Sequence, residues 1–408
     1  MKVIGPVPDI ERNGRNFSDG VGKISEFVAR IIADDLELPY QPSAFQFRLG
    51  GYKGLFCLVS HETKSILANM TIGVLAVHPE LKGSEVVLRE SQKKFSSKHT
   101  KLEIIRPARH ISASLNRQLI HVLTALGVEG HIFERLLSEQ MEALKTAMAD
   151  EDVAQRQLST KIDEHQMSLK MVKMIRDGFM RTGEPFLATL LQLWRAHSLK
   201  CLKEKTKITI EQGSFLLGVV DETGILKGHF EPVPVDEDEL PPELTREEKL
   251  NSLPEIFCQS DRGDGIFKVH TGVCFIARNP SLHPGDIRVV QAVDVPELHH
   301  LKNVLVLPQT GDKDLAGMCS GGDLDGDDYV IVWDQTLIPE IINFEPMDYT
   351  AEPDHLLDHD VGVPDMIAFF VNYMKSDRLG QIANTHVVWA DKSDEGVISD
   401  RCKLTCQP

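Results

Sequence analysis

The spacing of hydrophobic residues divides the chain into a β-like part, a helical part and a second β-like part. Between residues 44 and 106, short apolar runs such as 54–59 and 85–88 are interrupted by Gly, Pro and Asn, a pattern typical of strands and turns. Residues 111–205 contain very little Pro or Gly, and their apolar positions recur about every 3.6 residues, which predicts several helices. Strand-like runs return at 208–210, 215–220, 272–276, 287–290, 304–307 and 329–332.

Two further helices are predicted near the ends. Ser25 follows a turn-rich segment and precedes residues with helical spacing, as expected of an N-cap residue. The apolar run 366–374 also has the character of a helix. The patterns together divide the chain into a turn-plus-helix lead-in (1–40), a first β-domain (41–110), a helical connector (111–206), a second β-domain (207–340) with an acidic insertion (231–255), and a mixed C-terminal segment (341–408).

Composition indicates an ordinary globular protein. Of the 408 residues, 42% are apolar, which is ample for buried cores. The sequence has no apolar run of the roughly 20 residues that a membrane span requires, and its N-terminus lacks the hydrophobic segment of a signal peptide. We therefore expect an intracellular protein without a membrane partner, in the nucleus or the cytoplasm. The seven cysteines form no C-x-x-C pair, so neither a zinc knuckle nor a disulfide framework is predicted.

Charge is distributed unevenly along the chain. The net charge of −17 argues against a nucleic-acid partner, because domains that bind phosphate are usually basic. Residues 41–110, however, carry eleven Lys or Arg against five Glu. Much of the acidic excess lies in the Pro-containing stretch 236–248, which is typical of a solvated loop. The first β-domain is therefore a local basic zone within an acidic protein.

The strongest chemical signal is an alternation of carboxylates behind two glycines. Asp323, Asp325 and Asp327 are separated by single residues, so an extended backbone places them on one face. Carboxylate oxygens are the ligands that Mg²⁺ and Mn²⁺ prefer. Gly321 and Gly322 have no Cβ, so a phosphate group can approach this backbone closely. The segment predicts a site for a hard divalent cation.

Three other interpretations compete for this segment. A calcium-binding EF-hand loop requires Gly at its sixth position, where this chain has Asp328, and flanking helices, where residues 330–333 have the pattern of a strand. A phosphatase of the haloacid dehalogenase type has an apolar strand before its first aspartate, but residues 314–320 lack that pattern. An acidic surface turn is the simplest alternative. It is disfavoured because three alternating carboxylates repel one another without a cation.

Four ordered segments resemble one family, the cell-encoded RNA-dependent RNA polymerases of eukaryotic RNA silencing. The resemblance covers nearly the whole chain and is most specific at residues 17–25, 42–54, 277–286 and the loop through Asp327. It implies a mixed α and β fold of two double-psi β-barrels joined by a helical connector. Residues 41–110 would form the first barrel and residues 207–340 the second, which carries the aspartate loop. Residues 341–408 would begin the neck and the C-terminal helical head.

The same resemblance implies metal-dependent nucleotidyl transfer. The partners would be a single-stranded RNA template and nucleoside triphosphates, together with RNA-silencing proteins. The double-stranded product would supply small RNAs. Asp323, Asp325 and Asp327 would be the catalytic residues and the ligands of Mg²⁺ or Mn²⁺. A second hypothesis is a truncated, catalytically inactive, polymerase-like scaffold that binds RNA, because family members usually extend well beyond both ends of this sequence.

Basic residues that match the family's motifs are the expected phosphate ligands. Arg48, Lys53 and Lys94 would hold triphosphate or template phosphate, although most lysines are simply solvated. Residues 278–283 also resemble a segment that precedes the metal loop in the largest subunit of DNA-dependent RNA polymerases. By that resemblance, Arg278 would contact the ribose 2′-hydroxyl of the incoming nucleotide. The alternative role for Arg278 is a hydrogen bond that anchors its own loop.

Overall fold

The computed structural model describes residues 2–38, 40–49, 69–96, 101–161, 167–232, 244–261, 265–350 and 357–406, and for 69–73 and 94–96 the backbone alone. The predicted strand at 54–59 lies outside these residues.

The N-terminal part of the chain forms a seven-stranded sheet. This part of the chain contains β1 (Lys2–Val7), β2 (Glu11–Arg12), β3 (Arg15–Asn16), β4 (Val21–Ile24), β5 (Ala44–Leu49), β6 (Asn69–Val77), β7 (Glu85–Arg89), β8 (Lys93–Ser96) and β9 (Leu102–Pro107), of which β2 and β3 form a separate two-stranded sheet. The strand order is β1-β7-β4-β6-β5-β9, β8 pairs with β6, and β2 pairs only with β3. The sheet therefore includes strands from before residue 41, the position where the sequence pattern suggested a boundary.

Helix α1 (Glu26–Asp35) covers one face of this sheet. Its buried residues Val28 and Ile32 share a core cluster with Phe45 and Phe47 of β5. The predicted N-cap is confirmed, because the Ser25 side chain accepts a hydrogen bond from the Val28 amide. The buried face repeats at three- and four-residue intervals, the spacing of an amphipathic helix.

Replacing Ser25 with alanine should destabilise the N-terminal sheet. The Ser25 hydroxyl accepts from Val28 N at 3.3 Å and donates to the Gly83 carbonyl at 2.6 Å, so the change removes both a helix cap and a link to the turn before β7. We expect a loss of about 1–2 kcal/mol in the free energy of unfolding, measured by urea titration. Ser138→Ala is the control, since that exposed serine bonds only within its own helix. Equal values for the two variants would contradict the cap.

A run of helices connects the N-terminal sheet to the rest of the fold. After strand β10 (Ile111–Leu115) come α2 (Arg117–Ala125), α3 (Gly130–Thr146), α4 (Glu151–Thr160), α5 (Met167–Arg176) and α6 (Pro185–Lys205). Helices α4, α5 and α6 share a core of their own that includes Leu158, Met171 and Leu191. Among the described residues, no helix combines the length and the apolar character that crossing a bilayer requires.

The second β-part contains a closed barrel of six strands. The elements of this part of the chain are β11 (Ile208–Val220), α7 (Arg246–Asn251), β12 (Glu255–Ser260), β13 (Lys268–Val269), β14 (Gly272–Arg278), β15 (Ile287–Ala292), β16 (Val304–Leu307), α8 (Leu315–Met318) and β17 (Asp328–Val332). The short strand β13 pairs with β12 outside the barrel. The order is β11-β16-β12-β15-β14-β17, and β17 pairs again with β11. The runs predicted at 208–210 and 215–220 belong to the single long strand β11.

The two sheets repeat the same order of parallel and antiparallel pairs. In the N-terminal sheet, β1–β7 and β4–β6 are parallel, while β7–β4, β6–β5 and β5–β9 are antiparallel. In the barrel, β15–β12 and β16–β11 are parallel, while β12–β16, β11–β17 and β17–β14 are antiparallel. An antiparallel pair, β14–β15, closes the barrel. Six strands of the N-terminal sheet thus follow the pairing pattern of the barrel.

One hydrophobic core joins the two sheets. Val21, Ala44 and Val74 from the N-terminal sheet belong to the same buried cluster as Leu216 and Phe257 from the barrel. Burial of this apolar surface holds the two sheets together. Side chains at the edge of the shared core can therefore reach from one sheet to the other.

The chain ends in three helices. They are α9 (Val363–Ser376), α10 (Leu379–Lys392) and α11 (Asp400–Cys406). Helix α9 contains the run predicted to be helical at 366–374, and none of its residues is buried. Helices α10 and α11 pack on the connector side of the barrel, where Ala390 and Cys402 join the cluster that contains Leu119 of α2.

Candidate metal centre

The aspartate segment is a short loop that leads into a barrel strand. Helix α8 ends at Met318, and β17 begins at Asp328, directly after the third aspartate of the alternation. A strand after the loop disagrees with an EF-hand, and a helical turn before it disagrees with the strand of a haloacid dehalogenase phosphatase. The structure therefore supports the sequence argument against both alternatives.

Three carboxylates converge in this loop. Asp323, Asp325 and Asp327 each offer an oxygen, and these three oxygens lie within 4.8 Å of one another. All three residues are half-buried. Burial, and after it the negative charges of Asp325 and Asp327, raise the pKa of Asp323 to about 7. Such mutual repulsion is relieved by a divalent cation, so this all-oxygen donor set fits Mg²⁺ or Mn²⁺.

The loop is braced by its own backbone and by the barrel. The Asp325 amide donates to Asp323 Oδ1 at 3.2 Å, and the Asp323 amide donates to Asp327 Oδ2 at 3.2 Å. The Gly218 amide of β11 donates to the Asp327 carbonyl at 3.1 Å. Leu324, which points away from the carboxylates, is buried in the core shared by the two sheets. The alternation thus places acidic side chains on one side and an apolar anchor on the other.

Tyr329 supports the loop from inside the barrel. Its hydroxyl donates to the Asp323 carbonyl at 2.8 Å, and its side chain is fully buried. Tyr329→Phe should lower the free energy of unfolding by about 1–2 kcal/mol, because the half-buried Asp323 carbonyl loses its donor. Urea titration measures the change, with Tyr373→Phe as the matched control on the exposed face of α9. Identical unfolding midpoints for the two variants would contradict the assignment.

The two glycines before the triad are packed against protein atoms. Gly321 has a φ of +62°, which favours glycine, and a Cβ there would lie 2.8 Å from Tyr349 Cβ. A Cβ on Gly322 would lie 2.5 Å from the Tyr329 hydroxyl and 2.6 Å from Arg278 Cδ. Both positions therefore require glycine for internal packing. Close approach of a phosphate to this backbone stays a prediction.

Arg278 lies at the end of β14 and is ion-paired with the third aspartate. Its Nε is 2.5 Å from Asp327 Oδ2, and its Nη2 donates to Asp327 Oδ1 at 3.3 Å. Its Nη1 donates to the Ser320 carbonyl at 3.1 Å. These contacts agree with the alternative role of Arg278 as an anchor of its own loop, and they place a positively charged side chain beside the triad. Recognition of a ribose by Arg278 stays a prediction.

The other predicted basic ligands are located less completely. Arg48 is half-buried in β5, and its Cα is paired with those of Ile72 in β6 and Glu103 in β9. Lys94 lies in β8, where only the backbone is described, and Lys53 lies outside the described residues. Arg48 and Lys94 therefore belong to one sheet, whose strands β5 and β8 both neighbour β6. Their contact with phosphate stays a prediction.

Two side chains of the N-terminal sheet reach the loop without having been predicted to do so. Arg106 of β9 pairs with Asp328, with Nη1 and Oδ2 2.6 Å apart. Gln46 of β5 donates to the Asp325 carbonyl at 3.5 Å. Gln46 stands two residues before Arg48 on the same face of β5, so its place in the matched segment 42–54 was an available signal. Arg106 gave no signal beyond its charge.

The turn before β4 also contacts the loop. The Leu324 amide donates to the Asp19 carbonyl at 2.9 Å. Gly20, with a φ of +85°, lies so close that a Cβ would come within 2.5 Å of Asp325 Cβ and 2.7 Å of its amide nitrogen. The matched segment 17–25 therefore has a structural purpose, because it fits against the triad from the side of the N-terminal sheet.

The fold and the site define a mixed α/β protein with an all-carboxylate centre at the junction of a barrel and a sheet. The chain belongs to the RNA-dependent RNA polymerase family, whose family model matches residues 1–406. It is 39% identical to RNA-dependent RNA polymerase 1 of Schizosaccharomyces pombe and 36% identical to RNA-dependent RNA polymerase 1 of Arabidopsis thaliana, each over 97% of this chain.

The chain spans about a third of those relatives, 31% of the first and 32% of the second. Among solved structures, it is similar to the RNA-dependent RNA polymerase QDE-1 from Thielavia terrestris. The TM-score is 0.66, the sequence identity is 22%, and the match covers 99% of this chain and 45% of that one. At this identity, the likeness establishes the fold.

Proposed function

We propose that the protein is an RNA-directed RNA polymerase, a nucleotidyltransferase that copies single-stranded RNA from nucleoside triphosphates. The observation that carries the proposal is the convergence of Asp323, Asp325 and Asp327, with oxygens within 4.8 Å of one another, in a chain of this family. An inactive scaffold would have no need to keep three mutually repelling carboxylates together. The scaffold alternative is therefore not favoured.

The proposed chemistry is the attack of an RNA 3′-hydroxyl on the α-phosphate of a nucleoside triphosphate, with release of pyrophosphate. Bound Mg²⁺ or Mn²⁺ ions supply activation of the hydroxyl and neutralisation of the leaving group. The three aspartates hold those ions. Arg278, already 2.5 Å from Asp327, adds a positive charge on the side where the nucleotide sugar binds, and so orients the substrate next to the triad.

The basic side of the site comes from the N-terminal sheet in this proposal. Arg48, Lys53 and Lys94 bind the triphosphate or the template backbone, because carboxylates alone would repel both. Approach of phosphate to the backbone of Gly321 and Gly322 belongs to the same proposal, and Gly321 is the exposed residue of the two. The location of Arg48 supports this assignment, since it lies two residues beyond Gln46 on the same face of β5, and the Gln46 side chain reaches the Asp325 carbonyl.

The proposed architecture is a pair of double-psi β-barrels. The closed barrel within residues 207–340 is the second, and residues 41–110, with strands added from 1–40, form the first. Their shared order of parallel and antiparallel pairs supports this assignment. Residues 111–206, apart from strand β10, connect the barrels, residues 231–255 hold the acidic insertion together with α7 and the first residue of β12, and the helices after residue 341 begin the neck and head.

The assay that tests the function combines the purified protein with single-stranded RNA, four ribonucleotides and either Mg²⁺ or Mn²⁺. We expect template-dependent incorporation that stops on chelation of the metal. Product that resists single-strand nuclease and is cut by a double-strand-specific ribonuclease identifies the duplex. Binding of RNA without incorporation in either metal would refute the polymerase and favour the scaffold.

The proposed biological role follows from the duplex product. Double-stranded RNA is a precursor of small RNAs, so the protein would act in RNA-mediated gene silencing with silencing proteins as partners. Supplying the assay product to a double-strand-specific ribonuclease should yield short duplexes. Single-stranded or very short products would contradict this role while leaving nucleotidyl transfer intact.

A further inference from the structure

The Arg106 side chain extends from the N-terminal sheet to the aspartate loop and to the first residue of β17. Each nitrogen of its guanidinium has a partner there. Nη1 lies 2.6 Å from Asp328 Oδ2, Nη2 donates to the Gly326 carbonyl at 2.6 Å, and Nε donates to Gln46 Oε1 at 2.9 Å. A planar guanidinium with three engaged nitrogens has a single orientation.

These contacts bracket a metal ligand. Gly326 and Asp328 are the residues immediately before and after Asp327, and both are bonded to Arg106. Gln46, which accepts from Arg106, in turn donates to the Asp325 carbonyl at 3.5 Å. Gly326 has a φ of +139°, and a Cβ there would overlap the Gln46 amide. Arg106 and Gln46 therefore fit the loop at the one residue that separates the second and third aspartates.

A comparable ion pair elsewhere does not touch the loop. Arg89 of β7 in the N-terminal sheet lies 2.6 Å from Glu222, two residues after β11 of the barrel. Its guanidinium also donates a hydrogen bond to the Pro8 carbonyl. Arg89 thus joins the same two sheets through an Arg–Glu pair that is more buried than the Arg106 pair. Substitution of Arg89 therefore tests the effect of weaker contact between the sheets without a change in the contacts of the aspartate loop.

We propose that Arg106 is a positioning residue for the triad, which sets the separation of Asp325 and Asp327 by fixing Gly326 and Asp328 from the opposite sheet. Its role in RNA synthesis rests on the proposed function. Partners that orient ligands from outside the coordination sphere commonly change metal affinity or activity by about 10- to 100-fold when they are mutated.

The test measures binding of Mn²⁺ alone to the purified protein, from the electron paramagnetic resonance signal of the free ion, and template-dependent RNA synthesis as a function of Mn²⁺ concentration. Arg106→Gln removes the charge and the fork of donors, and Gln46→Leu removes only the bonds to Arg106 and Asp325. Arg106→Lys keeps the charge without the fork. Arg89→Gln is the matched control, and melting temperatures are recorded for all variants.

We expect Mn²⁺ binding about tenfold weaker for Arg106→Gln and Gln46→Leu, with a matching rise in the Mn²⁺ concentration needed for half-maximal synthesis. Arg106→Lys should recover part of the loss. Arg89→Gln should lower the melting temperature and leave Mn²⁺ affinity unchanged. If Arg106→Gln does not fold, Gln46→Leu and Arg106→Lys decide the question.

Equal Mn²⁺ affinity in wild type, Gln46→Leu and the folded Arg106 variants would overturn the proposal. So would an equal loss of affinity in Arg89→Gln, because that would indicate a general effect of sheet docking. A wild-type protein that binds Mn²⁺ but makes no RNA refutes the polymerase function, and the comparison of affinities still tests the positioning of the loop.

Discussion

Asp325→Asn is expected to reduce template-dependent RNA synthesis by about 10³-fold or more, because the change removes a charged ligand from the centre of the alternation. The side chain keeps its size, and its backbone contacts with the Gln46 amide and the Asp323 carboxylate remain available. Mutual repulsion within the triad falls, so the free energy of unfolding should stay level or rise. Steady-state incorporation and urea titration together distinguish a lost ligand from a lost fold.

Asp35→Asn provides the control for this substitution. Asp35 is exposed in the last turn of α1, so the same chemical change there should leave synthesis unaltered. Synthesis by Asp325→Asn at the wild-type rate, under saturating Mg²⁺, would remove Asp325 from the metal site and with it the basis for the triad.

Gly20→Ala is expected to reduce RNA synthesis by about 100-fold, although residue 20 is far from the aspartates in sequence. A Cβ at this position would lie 2.5 Å from Asp325 Cβ and 2.6 Å from its Cα, so the loop or the turn must shift. Displacement of a reacting group by about 1 Å costs on the order of 10²-fold in rate. Alanine also pays roughly 1–2 kcal/mol for the left-handed backbone, which urea titration detects.

Gly14→Ala isolates the steric part of that effect. Gly14 also has a positive φ, +71°, but a Cβ there would meet nothing within 4 Å. Both variants should lose similar stability from backbone strain, while only Gly20→Ala should lose synthesis and Mn²⁺ affinity. Parallel losses of synthesis in the two variants would contradict a specific fit between Gly20 and Asp325.

The parts of the fold that follow from local pattern were predictable. The run 304–307 coincides with β16, and Ser25 caps α1, because apolar clustering and capping depend on neighbours in the chain. The triad was predictable for the same reason, since alternate residues of an extended five-residue segment lie on the same face. No long-range information is needed for any of these.

The parts that depend on pairing between distant segments were not predictable. The sequence showed Arg106 as one of eleven basic residues in a zone, and only the register of β9 beside β5 places it with Gln46. Residues 111–115 were included in the helical connector, but as β10 they pair with β11. Strand register is decided by packing across the sheet, which one sequence does not display.

Glycine roles also required the structure. Gly322 was interpreted as an opening for phosphate, yet the atoms nearest to its missing Cβ belong to Tyr329 and Arg278. The same absence of a side chain serves internal packing or ligand access, and composition cannot distinguish the two.

The core shared by the two sheets has a consequence for the order of events during synthesis of the chain. Three hydrogen-bonded contacts from the N-terminal part of the chain hold the aspartate loop. They join Asp19 to Leu324, Gln46 to Asp325 and Arg106 to Asp328. Chains emerge from the ribosome N-terminus first, at about 5–20 residues per second, and contacts between such distant segments close late in folding. The N-terminal sheet is therefore made some two hundred residues before the strand that completes the site, and an unfinished chain has no assembled aspartate triad.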